Sequence, residues 1–182
     1  MNTLQPLLPQ GAELIRPPTR TKVFGSLSLA FGVTLLPWLE DIRWLVPDFT
    51  LMALLYWNIH APRLTGLGAA FVFGLLTDVA RGVFFGLNAL VYCAATFVAL
   101  LVHRRLEGFS IPHQALQISP ILLGKELLLL TLGLALGRGT VDWRWLAAGL
   151  VAVLLWPPMA WLFDRATGRT RSSATAMQQT SR

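Results

Sequence analysis

The run ALQISPILLGKELLLLTLGLAL, residues 115–136, decides the fold class of this chain. A helix needs about 20 largely apolar residues to cross the roughly 30 Å hydrocarbon core of a bilayer, and this run has that length. Lys125 and Glu126 stand side by side near its middle. The run therefore predicts a transmembrane helix with two charged residues inside the membrane.

The composition of the whole chain agrees with a membrane protein. Of the 182 residues, 54% are hydrophobic and 13% are charged, and the mean hydropathy is +0.58. A water-soluble protein of this length would expose a surface that water could not solvate. The net charge of +6 does not indicate a nucleic-acid partner, because the basic residues stand at the ends of apolar runs and form no basic stripe.

The same length criterion predicts an all-α bundle of about six helices in a single transmembrane domain, residues 23–163. The predicted helices are 23–39, 48–59, 64–79, 83–102, 115–136 and 145–163. The second segment is short and Pro62 follows it, so a full span, a half-helix and a re-entrant element all fit it. Residues 1–22 are predicted to be a cytoplasmic tail without a signal peptide, and residues 164–182 a polar, disordered cytoplasmic tail.

The distribution of basic residues predicts the orientation. Six crossings with both termini in the cytoplasm place ten basic residues on the cytoplasmic side and four on the other, as the positive-inside rule requires. Five crossings would put one basic tail outside. All seven tryptophans fall near predicted helix ends, at headgroup depth: Trp38, Trp44, Trp57, Trp143, Trp145, Trp156 and Trp161.

The sequence carries no common catalytic or cofactor signature: no phosphate-binding glycine loop, zinc-spaced histidine pair, paired cysteines or nucleophile elbow. We therefore expect no enzyme activity, no cofactor and no metal. The small residues Gly74, Gly82 and Gly86 predict close helix packing, either within the chain or against a partner.

Charged residues close to apolar segments need a physical reason, because they are costly to bury. Asp48 follows Pro47 and is predicted to cap the second helix at the outer surface. Asp78 is predicted to pair locally with Arg81. The side chains of Lys125 and Glu126 project about 100° apart, so the two are not expected to face and neutralise each other. We expect at least one to face the bundle interior, as a ligand contact or as a structural pair.

Three stretches resemble the rod shape-determining MreD family of Gram-negative bacteria. They are Pro47 to Trp57, with Pro-Asp leading through a leucine-rich run to Tyr-Trp; Gly66 to Asp78, with Gly-Leu-Gly-Ala-Ala-Phe followed by Gly-Leu-Leu-Thr-Asp; and Gly82-x-x-x-Gly86-Leu-Asn-Ala-Leu. The matching positions are Pro47, Asp48, Tyr56, Trp57, Gly74, Asp78, Gly82 and Gly86. Asn88 stands where the family more often has His or Gln.

The resemblance implies a non-enzymatic inner-membrane scaffold of the complex that builds the lateral cell wall. Its implied partners are MreC, with MreB, RodA and a class B penicillin-binding protein in the wider complex, together with membrane lipid. The implied fold is similar to the six-helix substrate-binding subunits of energy-coupling factor transporters. Within this reading, the exposed residues Trp44 and Asp48, together with the turn from Asp78 to Gly86, are expected to matter more than the C-terminal tail. Truncation after Arg169 is therefore expected to be tolerated.

Two other classes of function remain open from the sequence. A membrane subunit that binds a small molecule or lipid would line a pocket with Lys125, Glu126, Tyr56 and Trp57. An intramembrane enzyme would need titratable side chains that converge from separate helices.

Overall fold

The computed structural model describes residues 18–107, 110–137, 144 and 146–167. Within these ranges the chain is all-helical and forms the expected six-helix bundle. The helices are α1 (Arg20–Thr34), α2 (Phe49–His60), α3 (Gly66–Arg81), α4 (Leu87–Glu107), α5 (Ile111–Ala135) and α6 (Leu146–Thr167), and a short 3₁₀ turn covers Arg43–Leu45. Most of both predicted tails, together with Trp143 and Trp145, lies outside the described residues.

Several helices begin or end away from their predicted limits. α1 ends at Thr34 instead of Leu39, because Pro37 has no N–H to continue the helix and restricts the residue before it. α4 begins at Leu87 instead of Val83, since the preceding residues form a loop with Gly86 at a φ of 95°. α6 continues to Thr167, so Asp164 lies in a helix and not in the predicted tail.

α2 is the central helix of the bundle. Every residue from Thr50 to His60 is buried, and α2 contacts α1, α3, α4 and α6. A helix that is apolar on all sides is stable only when it is surrounded, which explains this position. Its 12 residues span about 18 Å, which is less than the thickness of a bilayer core.

The outer surface of the bundle is apolar. Leu29, Leu101, Leu116 and Leu154 are each about 70% exposed or more. Three of the described helices, α4, α5 and α6, are long and apolar enough to cross a membrane. An apolar outer surface of this extent suits contact with lipid and would be unfavourable in water.

The alternating direction of the helices divides the bundle into two ends. We call the end at which α2 and α4 begin the Asp48 end, and the end at which they finish the Asp164 end. α3 and α4 meet near the Asp48 end, and α5 and α6 pack along each other. The polar residues of interest are found at both ends.

Candidate functional site

Asp48 joins three helices at the Asp48 end. It is the N-cap of α2, and its Oδ1 accepts a hydrogen bond from the Leu51 N–H at 3.1 Å. Its Oδ2 accepts a hydrogen bond from the Tyr92 hydroxyl of α4 at 2.5 Å. The predicted cap is present, but Asp48 is only 6% exposed and Pro47 is also buried. The expectation of an exposed Asp48 was therefore wrong, because α4 and α5 cover this end of α2.

Lys125 of α5 lies between two carboxylates. Its Nζ donates a hydrogen bond to Glu126 Oε1 at 2.7 Å and stands 3.9 Å from Asp48 Oδ2. Both Lys125 and Glu126 are buried, as expected for at least one of them. The expectation that the two would not face each other was wrong, since the flexible lysine side chain bends back to its neighbour. Buried charges are tolerated only when they are paired in this way.

These side chains form a buried polar network that we define as Asp48, Tyr92, Lys125 and Glu126. The network holds one positive charge, on Lys125, beside the carboxylates of Asp48 and Glu126. The network fixes the start of α2 against α4 and α5. It also brings together the titratable side chains that an intramembrane enzyme would need, although their polar atoms contact one another here.

Asp78, in the last turn of α3, caps the N-terminus of α4. Its Oδ1 accepts hydrogen bonds from the Asn88 backbone N–H and side-chain amide, each at 2.8 Å. Its Oδ2 accepts from the backbone N–H of Gly86 at 2.9 Å and of Ala89 at 3.3 Å. The predicted pair with Arg81 was wrong, because unpaired amides at a helix start attract a carboxylate strongly. Asn88, despite departing from the family pattern, takes part in this cap.

The glycines around Asp78 allow this arrangement. Gly82 ends α3 in a left-handed conformation with a φ of 59°, and Gly86 turns the chain back towards Asp78. At Gly74, an added Cβ would lie 2.7 Å from the Ala89 backbone nitrogen and closer still to its Cα. Gly74 therefore lets α3 approach the backbone of α4, and this small residue serves packing within the chain.

A second polar contact lies at the Asp164 end. The Tyr56 hydroxyl donates a hydrogen bond to Asp164 Oδ1 at 2.6 Å, which connects α2 to α6. Tyr56 also stacks on Phe163, with ring centroids 4.9 Å apart. The indole N–H of Trp57 donates to Ser26 Oγ of α1 at 2.8 Å. The Tyr-Trp pair thus attaches the central helix to α6 and α1.

The pocket expected for a small-molecule binder is divided between two places. Lys125 stands beside Asp48 at the start of α2 and contacts Glu126, whereas Tyr56 and Trp57 lie eight and nine residues after Asp48. A rise of 1.5 Å per residue separates the two groups by about 12 Å. The structure therefore does not bring these four side chains into one pocket.

Trp44 lies on the surface of the Asp48 end. Its indole N–H donates to the Asp41 carbonyl at 2.7 Å, and its side chain is partly exposed. The Arg144 guanidinium stands 6.0 Å from its ring centroid, so the loop before α2 meets the connection before α6. Phe84 and Phe85, in the Asp78 to Gly86 turn, are 57% and 66% exposed at the same end.

Two comparisons identify relatives of this chain. The family model described as rod shape-determining protein MreD matches residues 21–166, which includes all six helices. A Haemophilus influenzae protein described as rod shape-determining protein MreD is 27% identical over 135 residues, which cover 74% of this chain and 82% of the relative. No solved structure shows significant similarity to the chain. Because the family model covers most of its length and every element of the bundle, the chain belongs to the rod shape-determining MreD family.

Proposed function

We propose that this protein is a non-enzymatic membrane scaffold that binds MreC and helps organise lateral peptidoglycan synthesis. The family match carries this proposal, since rod-shape determination is the role that the family's name gives. MreB, RodA and a class B penicillin-binding protein would belong to the wider complex. The protein would act through surface contacts, because the side chains of the polar network at the Asp48 end contact one another and hold helices together.

The contact surface for MreC would be formed by exposed aromatic residues at the Asp48 end. Phe84 and Phe85 project from a turn that is fixed by the buried Asp78 cap. Trp44 is held at the same end by its bond to Asp41. A rigid loop that presents exposed aromatic side chains suits binding, because little conformational entropy is lost. Asp48 and Asp78 would hold the loops of this surface in place from inside the bundle and would not contact MreC.

Co-purification of MreC with the full-length protein in detergent tests this proposal. The variant with both Phe84→Ala and Phe85→Ala should retain far less MreC, since an aromatic anchor contributes about 2 kcal/mol or more, or roughly thirtyfold in affinity. The matched control changes Phe97 and Val98, which are exposed on α4, to alanine. Failure of the wild-type protein to retain MreC would count against the scaffold. Equal retention by both variants would exclude this surface.

The proposed location is the bacterial inner membrane, with several crossings and both termini in the cytoplasm. The excess of basic residues on one side supports this orientation. In this orientation the Asp48 end faces the periplasm. Alkaline phosphatase should be active when fused within the turn at Phe84 and inactive when fused after Arg182. The reverse pattern would contradict the orientation.

A further inference from the structure

A groove opens between α1 and α6 at the Asp164 end of the bundle. Its volume is about 310 Å³. The groove lies away from the polar network and from the aromatic surface proposed for MreC. α1 contributes Lys22, Gly25 and Leu29 to its wall, α6 contributes Phe163 and Thr167, and Trp57 of α2 lies beneath.

The inner part of this groove is apolar, because its polar atoms already have partners within the protein. The indole N–H of Trp57 donates to Ser26 Oγ at 2.8 Å, and the Ser26 hydroxyl donates to the Val23 carbonyl at 2.9 Å. The Thr167 hydroxyl donates to the Phe163 carbonyl of its own helix. A Cβ on Gly25 would meet no atom within 4 Å, so space remains beside this glycine. The interior therefore suits a hydrocarbon chain.

One basic side chain, Lys22 in the first turn of α1, lines the rim of the groove, and Arg20 lies in the same turn. Lys22 is exposed and, within the described part of the chain, has no carboxylate within ion-pair distance. The first turn of α1 has no acidic residue and no side-chain cap, so its free N–H groups add to the positive potential. The rim therefore favours an anionic group.

We propose that the groove binds one anionic phospholipid, with an acyl chain along Gly25 and Leu29 and the headgroup phosphate on Lys22. Basic pockets between membrane helices bind anionic headgroups in this way. An acyl chain is narrower than a helix, which is about 10 Å wide, and can follow the gap between α1 and α6.

Native mass spectrometry of the full-length protein in detergent tests this proposal. The probes are phosphatidylglycerol and phosphatidylcholine with identical acyl chains. The wild-type protein should retain one phosphatidylglycerol in preference to phosphatidylcholine. Lys22→Gln should weaken that binding about fivefold, the factor that corresponds to about 1 kcal/mol for one basic residue near an anionic surface. Gly25→Leu should also weaken it, because the added side chain enters the groove.

Two matched variants control for charge and for helix composition. Arg104→Gln removes a basic residue of α4, and Gly68→Leu fills open space beside α3; both should bind phosphatidylglycerol as the wild type does. Equal binding by all variants, or equal retention of the two lipids, would overturn the proposal. So would a Gly25→Leu variant that keeps the lipid but loses a co-purifying protein. Because Lys22 is exposed, Lys22→Gln remains informative even if Gly25→Leu does not fold.

Discussion

Replacing Gly74 by alanine tests the close approach of α3 and α4 most sharply. The added Cβ would lie 2.7 Å from the Ala89 nitrogen and 3.0 Å from the Asn88 carbonyl carbon. These are backbone atoms, so no side chain can rotate away. Overpacking of this kind costs about 1 to 3 kcal/mol, and the rigid neighbour favours the upper part of that range. Separating the helices would also pull the start of α4 away from Asp78.

Gly68→Ala in the same helix is the matched control, because its Cβ would meet no atom within 4 Å. It should gain about 0.5 to 1 kcal/mol from the removal of a helix glycine. Since both variants share that gain, the difference in their free energies of unfolding isolates the steric cost of about 1 to 3 kcal/mol.

Thermal unfolding of both full-length variants in one detergent, followed by far-ultraviolet circular dichroism, measures this difference. A difference of 3 kcal/mol corresponds to about 6 to 12 °C in Tm for a protein of this size. If Gly74→Ala unfolds at the same temperature as Gly68→Ala, α3 and α4 do not approach as described, and the argument for Gly74 fails.

Three further predictions concern the buried carboxylates and the tail. Asp78→Asn should lower the free energy of unfolding by about 1.5 to 3 kcal/mol in denaturant titration, because the amide cannot accept all four hydrogen bonds. The exposed Asp41→Asn is the control and should have no effect. Lys125→Met should lower the free energy of unfolding by about 3 to 5 kcal/mol in the same titration, since it leaves two buried carboxylates without their cation. The exposed Arg104→Met is the control and should leave the free energy of unfolding unchanged. Truncation after Arg169 should preserve rod shape at an unchanged protein level, and rounded cells would contradict the dispensable tail.

The fold class could be predicted from the sequence because apolar segment length is a direct physical requirement of a bilayer. The residues at which the helices begin and end were harder to predict from the sequence, since they depend on local contacts. Pro37 carried a usable signal for the end of α1. The late start of α4 depends on the conformation of Gly86 and on a carboxylate from the preceding helix.

The polar network was only partly predictable for a similar reason. The cap by Asp48 is local and could be read from the Pro47-Asp48 pair. The bond between Asp48 and Tyr92 joins residues 44 positions apart, and no local pattern indicates it. Tyr92 was therefore missed, although a tyrosine within an apolar helix needs a hydrogen-bond partner and offers a weak signal.

Asp164 was missed because the predicted sixth helix ended one residue before it. A carboxylate at the end of an apolar segment resembles the start of a solvated tail. Its contact with Tyr56 depends on how α6 packs against α2, which the sequence of neither helix specifies alone.

Depletion of this protein in its native cell, followed by imaging of cell shape, tests the central claim most directly. The account predicts that depleted cells become round and that the wild-type protein and the Asp41→Asn control both restore rods. Asp78→Asn should fail to restore them, because the turn that carries Phe84 and Phe85 loses its support. Cells that remain rod-shaped after depletion would contradict a role in the elongation machinery.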